Sequence, residues 1–196
     1  VPTLRAMLAS PDLRLDGFAG PGHVSMVIGT RPYEFIAREY HKPITVAGFE
    51  PLDLLQATWM VLQQMADGRC EVENQYGRVV PADGNPRALA AIDEVFEQRE
   101  FFEWRGLGSI EQSGVRVRDT YAAFDAERKF AVPNVSIADP QSCQCGEVLK
   151  GIIKPRQCRV FGTACTPEMP LGALMVSTEG ACAAYYSYGR NKKVVA

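Results

Sequence analysis

Five of the six cysteines fall between residues 143 and 182, where Pro and Gly recur every few residues and helical periodicity fails until EGACAAYYSYGR. About 55 residues of this texture bury too little apolar surface to hold a fold by packing alone. Bound metal supplies what packing does not. The sulfur therefore constrains this part of the chain more than any hydrophobic pattern does.

Disulfides are disfavoured. Five clustered thiols are an odd number, and VPTLRAMLASPDLR lacks the charged-then-apolar order of a secretion signal, so the expected compartment is the reducing cytoplasm. The chain opens on Val1 rather than Met, as expected of a fragment or a processed piece. Zinc normally takes ligand pairs from Cys-x-x-Cys knuckles. No such pair occurs, and both histidines, His23 and His41, lie outside the cluster. An iron–sulfur cluster takes four thiolates from chain that wraps it irregularly, and Gly146, Gly151, Pro155, Gly162, Pro167 and Gly180 supply the turns. Cys143, Cys158, Cys165 and Cys182 are too widely spaced for a ferredoxin run but suit a cluster that ties several loops together. Zinc and a cluster both stay open on the residues alone. So does a packing role for any one thiol, Cys182 included, because free Cys is among the most buried residue types.

Upstream, strand-like and helical stretches alternate. LDGFAG (15–20) is a short apolar strand running into a Gly-Pro-Gly turn, and RPYEFIAREY (31–40) is helical with Pro32 in its first turn. PITVAGF (43–49) has the profile of a buried parallel strand. EPLDLLQATWMVLQQMADG (50–68) repeats Leu54, Leu55, Thr58, Trp59, Leu62 and Met65 at helical spacing, which predicts a helix closing at Gly68 with Trp59, Met60 and Met65 in the core. CEVENQYGRVV reads as strand, NPRALAAIDEVFEQ (85–98) as a helix capped by Asn85, and FFEWRGLGSI as strand again. The alternation predicts a mostly parallel α/β sheet with flanking helices, Rossmann-like, over residues 1–135. A small loop-rich module follows over 136–196, its boundary near 130–140, and the basic tail GRNKKVVA is expected to be solvated.

A net charge of -2 argues against a nucleic-acid binder, and no apolar run approaches the roughly 18 residues that span a membrane. His23, in GPGHVS, follows a strand, at the edge where open α/β sheets place their sites; a plain loop histidine is the competing reading. Glu50 either caps the following helix or points into a cleft, and Asp53 supports that helix N-terminus. Glu179 reads as a helix cap and Cys70 as a bystander.

GPGHVS, VAGFEPLDLLQ, ENQYGRVV, GNPRALAAIDEVFE, FEWRGLG, YAAFDAERKF, CQCGEVLKG, VFGTACTPEMPLG and MVSTEGACAAYY together resemble the HypD family of [NiFe]-hydrogenase maturation proteins, from about residue 15 to 188. The resemblance implies a [4Fe–4S] cluster on Cys143, Cys158, Cys165 and Cys182, with Cys145 a neighbour rather than a ligand. It implies a cytoplasmic scaffold, more than a turnover enzyme, on which an iron gains carbon monoxide and cyanide to give the Fe(CN)2CO moiety. A HypC-like chaperone is the expected partner and a HypE-like protein the cyanide donor. The resemblance places His23 in a cleft facing that iron and makes Glu179 a residue of the EGxC motif; with Glu50 from the reading of the residues, these are the candidate catalytic side chains. The family's N-terminal domain has no counterpart in the chain. Two other functions stay in view: a cluster-dependent thiol–disulfide oxidoreductase acting through Cys145 or Cys70, and a zinc-stapled interaction module.

Overall fold

The computed structural model describes residues 1–104, 106–130 and 140–189; the expected boundary at 130–140 falls mainly, and the basic tail almost wholly, outside them. The first part is organised by a three-stranded parallel sheet in the order β1-β2-β3, formed by β1 (Phe18–Pro21), β2 (Ile44–Ala47) and β3 (Val72–Asn74). Phe18 pairs with Ile44 and Ile44 with Val72, so β2 has a neighbour on each side. All four of its residues are buried, which is why PITVAGF reads as an unbroken apolar run rather than an alternating one.

The connections are helical, as a parallel pair requires. α2 (Gly22–Ile28) and α3 (Glu34–Tyr40) lead from β1 to β2, and α4 (Pro51–Ala66) leads from β2 to β3. Tyr33, Phe35, Ile36, Ile44, Val46 and Val80 form the core, joined by Leu8 from α1 (Pro2–Leu8). Ile36 and Val46 are fully buried. The Tyr33 hydroxyl reaches Ser25 Oγ at 3.2 Å, and Ser25 donates to the Pro21 carbonyl at 2.7 Å, so this core leaves neither hydroxyl stranded.

α4 corrects the sequence reading. It turns Asp53, Ala57, Val61 and Gln64 inward and leaves Leu52, Leu55, Trp59, Leu62 and Met65 exposed. Periodicity identifies residues that share a face but not which face is inward. Gly17 decides it locally, since a side chain there would meet Val61 Cγ1 and Met65 Cε at 2.7 Å. The small inner residues let α4 lie close against the sheet.

α5 (Pro86–Val95) starts where expected, with the Asn85 side chain accepting from the Arg87 and Ala88 amides. It stops three residues early, because β4 (Phe96–Gln98) pairs antiparallel with β7 (Val115–Val117). FFEWRGLGSI is two strands rather than one: β5 (Phe101–Trp104) and β6 (Gly108–Glu111) form an antiparallel hairpin. A six-residue 3₁₀ segment, Asp119–Phe124, and α6 (Ala126–Lys129) follow. Among the described residues the sheet content is therefore mixed, with the one parallel sheet lying within residues 18–74.

Beyond residue 140 lie α7 (Cys145–Leu149), a 3₁₀ turn at Pro155–Gln157, α8 (Ala173–Val176) and α9 (Ala181–Tyr188). They gather a second core of Cys165, Met175, Cys182 and Ala183, edged by Val148, Val160, Phe161, Leu171 and Leu174. The Arg14 amide donates to the Lys150 carbonyl at 2.8 Å, tying this part to the N-terminal segment. Among the described residues no helix is long and apolar enough to cross a membrane.

Candidate metal centre

Cys143, Cys145, Cys158, Cys165 and Cys182 all line one narrow cavity, with Val148, Val160, Phe161, Leu174, Met175 and Gly172 completing it. Four separate segments supply the cysteines of this cavity, three of them held by turns and hydrogen bonds of their own. Cys143 is fixed by its amide to Pro140 O at 2.8 Å. Gln144 couples that turn to the next thiol, since its side-chain carbonyl accepts from the Arg159 amide at 3.1 Å, beside Cys158. Cys158 closes the 3₁₀ turn, which is held by the Lys154 amide on Gln157 Oε1 at 2.7 Å. Cys165 sits in a tight loop: its amide donates to Val160 O at 2.9 Å and its carbonyl accepts from Gly162, whose φ of 71° favours glycine. Cys182 lies in the first turn of α9.

Two contacts show how closely the backbone follows the sulfur. A Cβ on Gly172 would collide with Cys143 Sγ. The Leu171 amide points at Cys165 Sγ at 3.4 Å, a donor placed to stabilise charge on that sulfur. Burial, with Cys158, Cys165 and Cys143 nearby, pushes the Cys182 thiol up to about 11. Several thiolates in so apolar a cavity require a compensating cationic centre, because uncompensated charge there is heavily penalised. The donor set thus fits a soft, thiolate-preferring metal group.

A single ion would need the thiols drawn tightly together. Four thiolates on one zinc lie about 3.8 Å apart, given Zn–S bonds near 2.3 Å. Among the described residues no three His, Cys, Asp or Glu side chains come together tightly enough to hold one ion.

The remaining candidates lie elsewhere, as none of His23, Glu50, Glu179 or Cys70 lines this cavity. His23 opens α2 at the C-terminal end of β1, exposed, its ring 5.2 Å from that of Phe49. Glu50 occupies the position before α4 but its carboxylate makes no capping bond, so it stays exposed beside the same corner. Glu179 does not cap α9; Gly180 holds that position and Glu179 is exposed. The Cys70 thiol donates to the His41 carbonyl at 3.0 Å. Cys145 is buried, with the β5–β6 turn against it: a Cβ on Gly106 would stand 2.7 Å from its sulfur.

Sequence reasoning missed a polar network behind the His23 corner. Asp53 accepts from Arg78 at 3.0 and 2.7 Å and from Gln75 at 2.8 Å, and Gln75 in turn accepts from the Gly48 amide at 3.2 Å. Those bonds hold the Asp53 carboxyl below the usual carboxylate range, the Arg78 contact contributing most. The signals available were the Gly48 and Asp53 pair and the QYGR stretch, 75–78. It missed Gly172 as well, whose only sign is the Gly in PLGALM.

Fold and site together define a mixed α/β protein that carries a thiol-lined, apolar cavity. The chain belongs to the HypD family, whose model, described as the hydrogenase formation hypA family, matches residues 1–189. It is 59% identical over 190 residues to the hydrogenase maturation factor HypD of Rhodobacter capsulatus, covering 95% of this chain and 50% of that one. Identity to the factor of the same name from Escherichia coli K12 is 54% over 188 residues, and from Cupriavidus necator 53% over 194 residues. These alignments cover 96% of this chain in each case, and 50% and 51% of the relatives. The chain thus spans about half the length of the curated relatives it matches.

Proposed function

We propose that this chain is the cluster-bearing portion of a hydrogenase maturation scaffold, holding a [4Fe–4S] cluster on Cys143, Cys158, Cys165 and Cys182. The observation that carries this reading is the meeting of those four thiols, from four segments, around one apolar cavity. When bound, such a cluster supplies one-electron redox capacity. The protein's part is to strip water from the thiolates, through Val148, Val160, Phe161 and Met175, and to hold them with amide donors such as that of Leu171. Residues 1–135 act as a Rossmann-like body and 136–196 as the iron–sulfur module.

His23, steadied by the Phe49 ring at the C-terminal edge of the parallel sheet, faces the iron that gains cyanide and carbon monoxide. Glu50, exposed at the same corner, is the adjacent acid, and Glu179 belongs to the turn leading into α9. A HypC-like chaperone and a HypE-like cyanide donor are the partners, and the cytoplasm the setting. The names of the relatives support the maturation role.

Anaerobic purification tests the metal reading. About four irons and four acid-labile sulfides per chain are expected. Zinc without sulfide would overturn it in favour of a zinc-stapled module. The oxidoreductase reading needs a reactive thiol beside the cluster, and the burial of Cys145 counts against it. Rapid alkylation of Cys145 in the loaded protein would revive it.

A further inference from the structure

α4 is built inside out. Its sheet-facing stripe is Asp53, Ala57, Val61 and Gln64, two polar side chains and two small ones. Its outer stripe is Leu52, Leu55, Trp59 and Leu62, which are 74, 69, 59 and 58% exposed, with Phe49 just before the helix at 61%. Asp53 is the helix's only charged residue, and it is buried against Arg78, so the outer surface carries no charge at all. A helix whose largest apolar side chains point outward, with no charged face opposite, is the kind found covered on both sides. From Leu52 to Leu62 this makes an apolar ridge about 15 Å long on a helix of about 24 Å, far from the scattered single hydrophobics of an ordinary surface.

We infer that this ridge is the docking face for the other half of the HypD-family polypeptide. The relatives run to about twice the length matched here, which leaves each with further chain of domain size. A partner meeting a ridge without charge buries it by apolar contact, as permanent domain interfaces do, and needs no salt-linked complement. The ridge is also continuous with the sheet's functional edge. Phe49 lies at its N-terminal end and packs on His23, so a domain seated along α4 walls one side of the His23 corner and turns an open edge into a cleft. A second copy of this chain, or a separate protein, is the competing occupant. This inference rests on α4 and the family lengths and does not depend on which metal the cysteines hold.

The test uses carbene footprinting read residue by residue along 51–66. Three samples are compared: this chain, a fusion of it to the unmatched half of the Rhodobacter capsulatus relative at that relative's own junction, and the full-length relative over its matching helix. Labelling at positions 52, 55, 59 and 62 should fall several-fold in the fusion and be equally low in the relative. In the fusion, Leu55→Glu with Trp59→Glu should restore labelling of Leu52 and Leu62. Equal labelling in all three samples overturns the inference. So does protection already present in this chain alone as a concentration-dependent dimer, or protection that appears only when a separate protein is added. Should the fusion fail to fold, labelling of the full-length relative against this chain decides the question. Iron and sulfide are measured on the same samples, so a lost cluster with a protected ridge counts against the metal reading alone.

Discussion

Arg78 grips Asp53 with both ends of its guanidinium, at 3.0 and 2.7 Å, joining the turn after β3 to the first turn of α4. Through Gln75 the same carboxylate steadies the Gly48 amide, one residue from the Phe49 ring that packs on His23. The ion pair thus helps to hold the backbone of the corner at which Phe49 packs on His23.

That pair has a pH signature. The Asp53 carboxyl titrates below its ordinary range because of Arg78 and then Gln75, so the folded state binds its proton less readily than the unfolded chain. The stabilisation is fully present above the unfolded value, near 3.9, and is lost as pH falls through the lower folded value. Asp53→Asn should therefore lower Tm at pH 7, and the gap to the parent should narrow as pH falls below 4. A constant gap across that range would show that the carboxylate's charge contributes nothing.

The cysteines should not behave alike. Serine at Cys143, Cys158, Cys165 or Cys182 should remove most bound iron, whereas Cys145→Ser should retain it. Because metal binding and folding are coupled, Cys158→Ser should also make residues 140–189 the first cleaved in limited proteolysis, with the parallel sheet left resistant. Equal resistance in variant and parent would contradict this.

Gly172→Ala tests the closeness of backbone and sulfur. The residue has φ -114° and ψ 155°, which alanine adopts freely, so any effect comes from contact alone. The added methyl meets Cys143 Sγ and, at 3.5 Å, Cys145 Cβ. A cost of about 1–3 kcal/mol, typical of overpacking, and reduced iron loading are expected, read by denaturant titration and metal analysis.

Ile36→Ala should act on the other core. Ile36 is fully buried in the sheet's apolar cluster and contributes nothing to the cavity lining. A loss of about 2–5 kcal/mol in the unfolding of the α/β part is expected, with iron per folded chain unchanged.

What the sequence revealed depended on the range of the physics involved. The three parallel strands and the Asn85 cap are local patterns, and each appears where the residues place it. The inward face of α4 is not local, because a ridge of leucines reads the same whether a sheet or another domain covers it. The end of α5 was likewise decided by a partner strand, Val115–Val117, twenty residues further on. The five thiols were visible at once, but their gathering around one cavity depends on turns such as 140–143 and 160–165, which spacing alone does not specify. The Asp53, Gln75 and Arg78 network joins residues more than twenty positions apart, so its members stand in the sequence as separate pieces with nothing to pair them.

Gly106 and Gly146 meet with no side chain between them, since a Cβ on Gly146 would run into the Gly106 carbonyl. Backbone against backbone has little give. Glycine at both positions is therefore what allows the β5–β6 turn and the start of α7 to seat against each other beside Cys145.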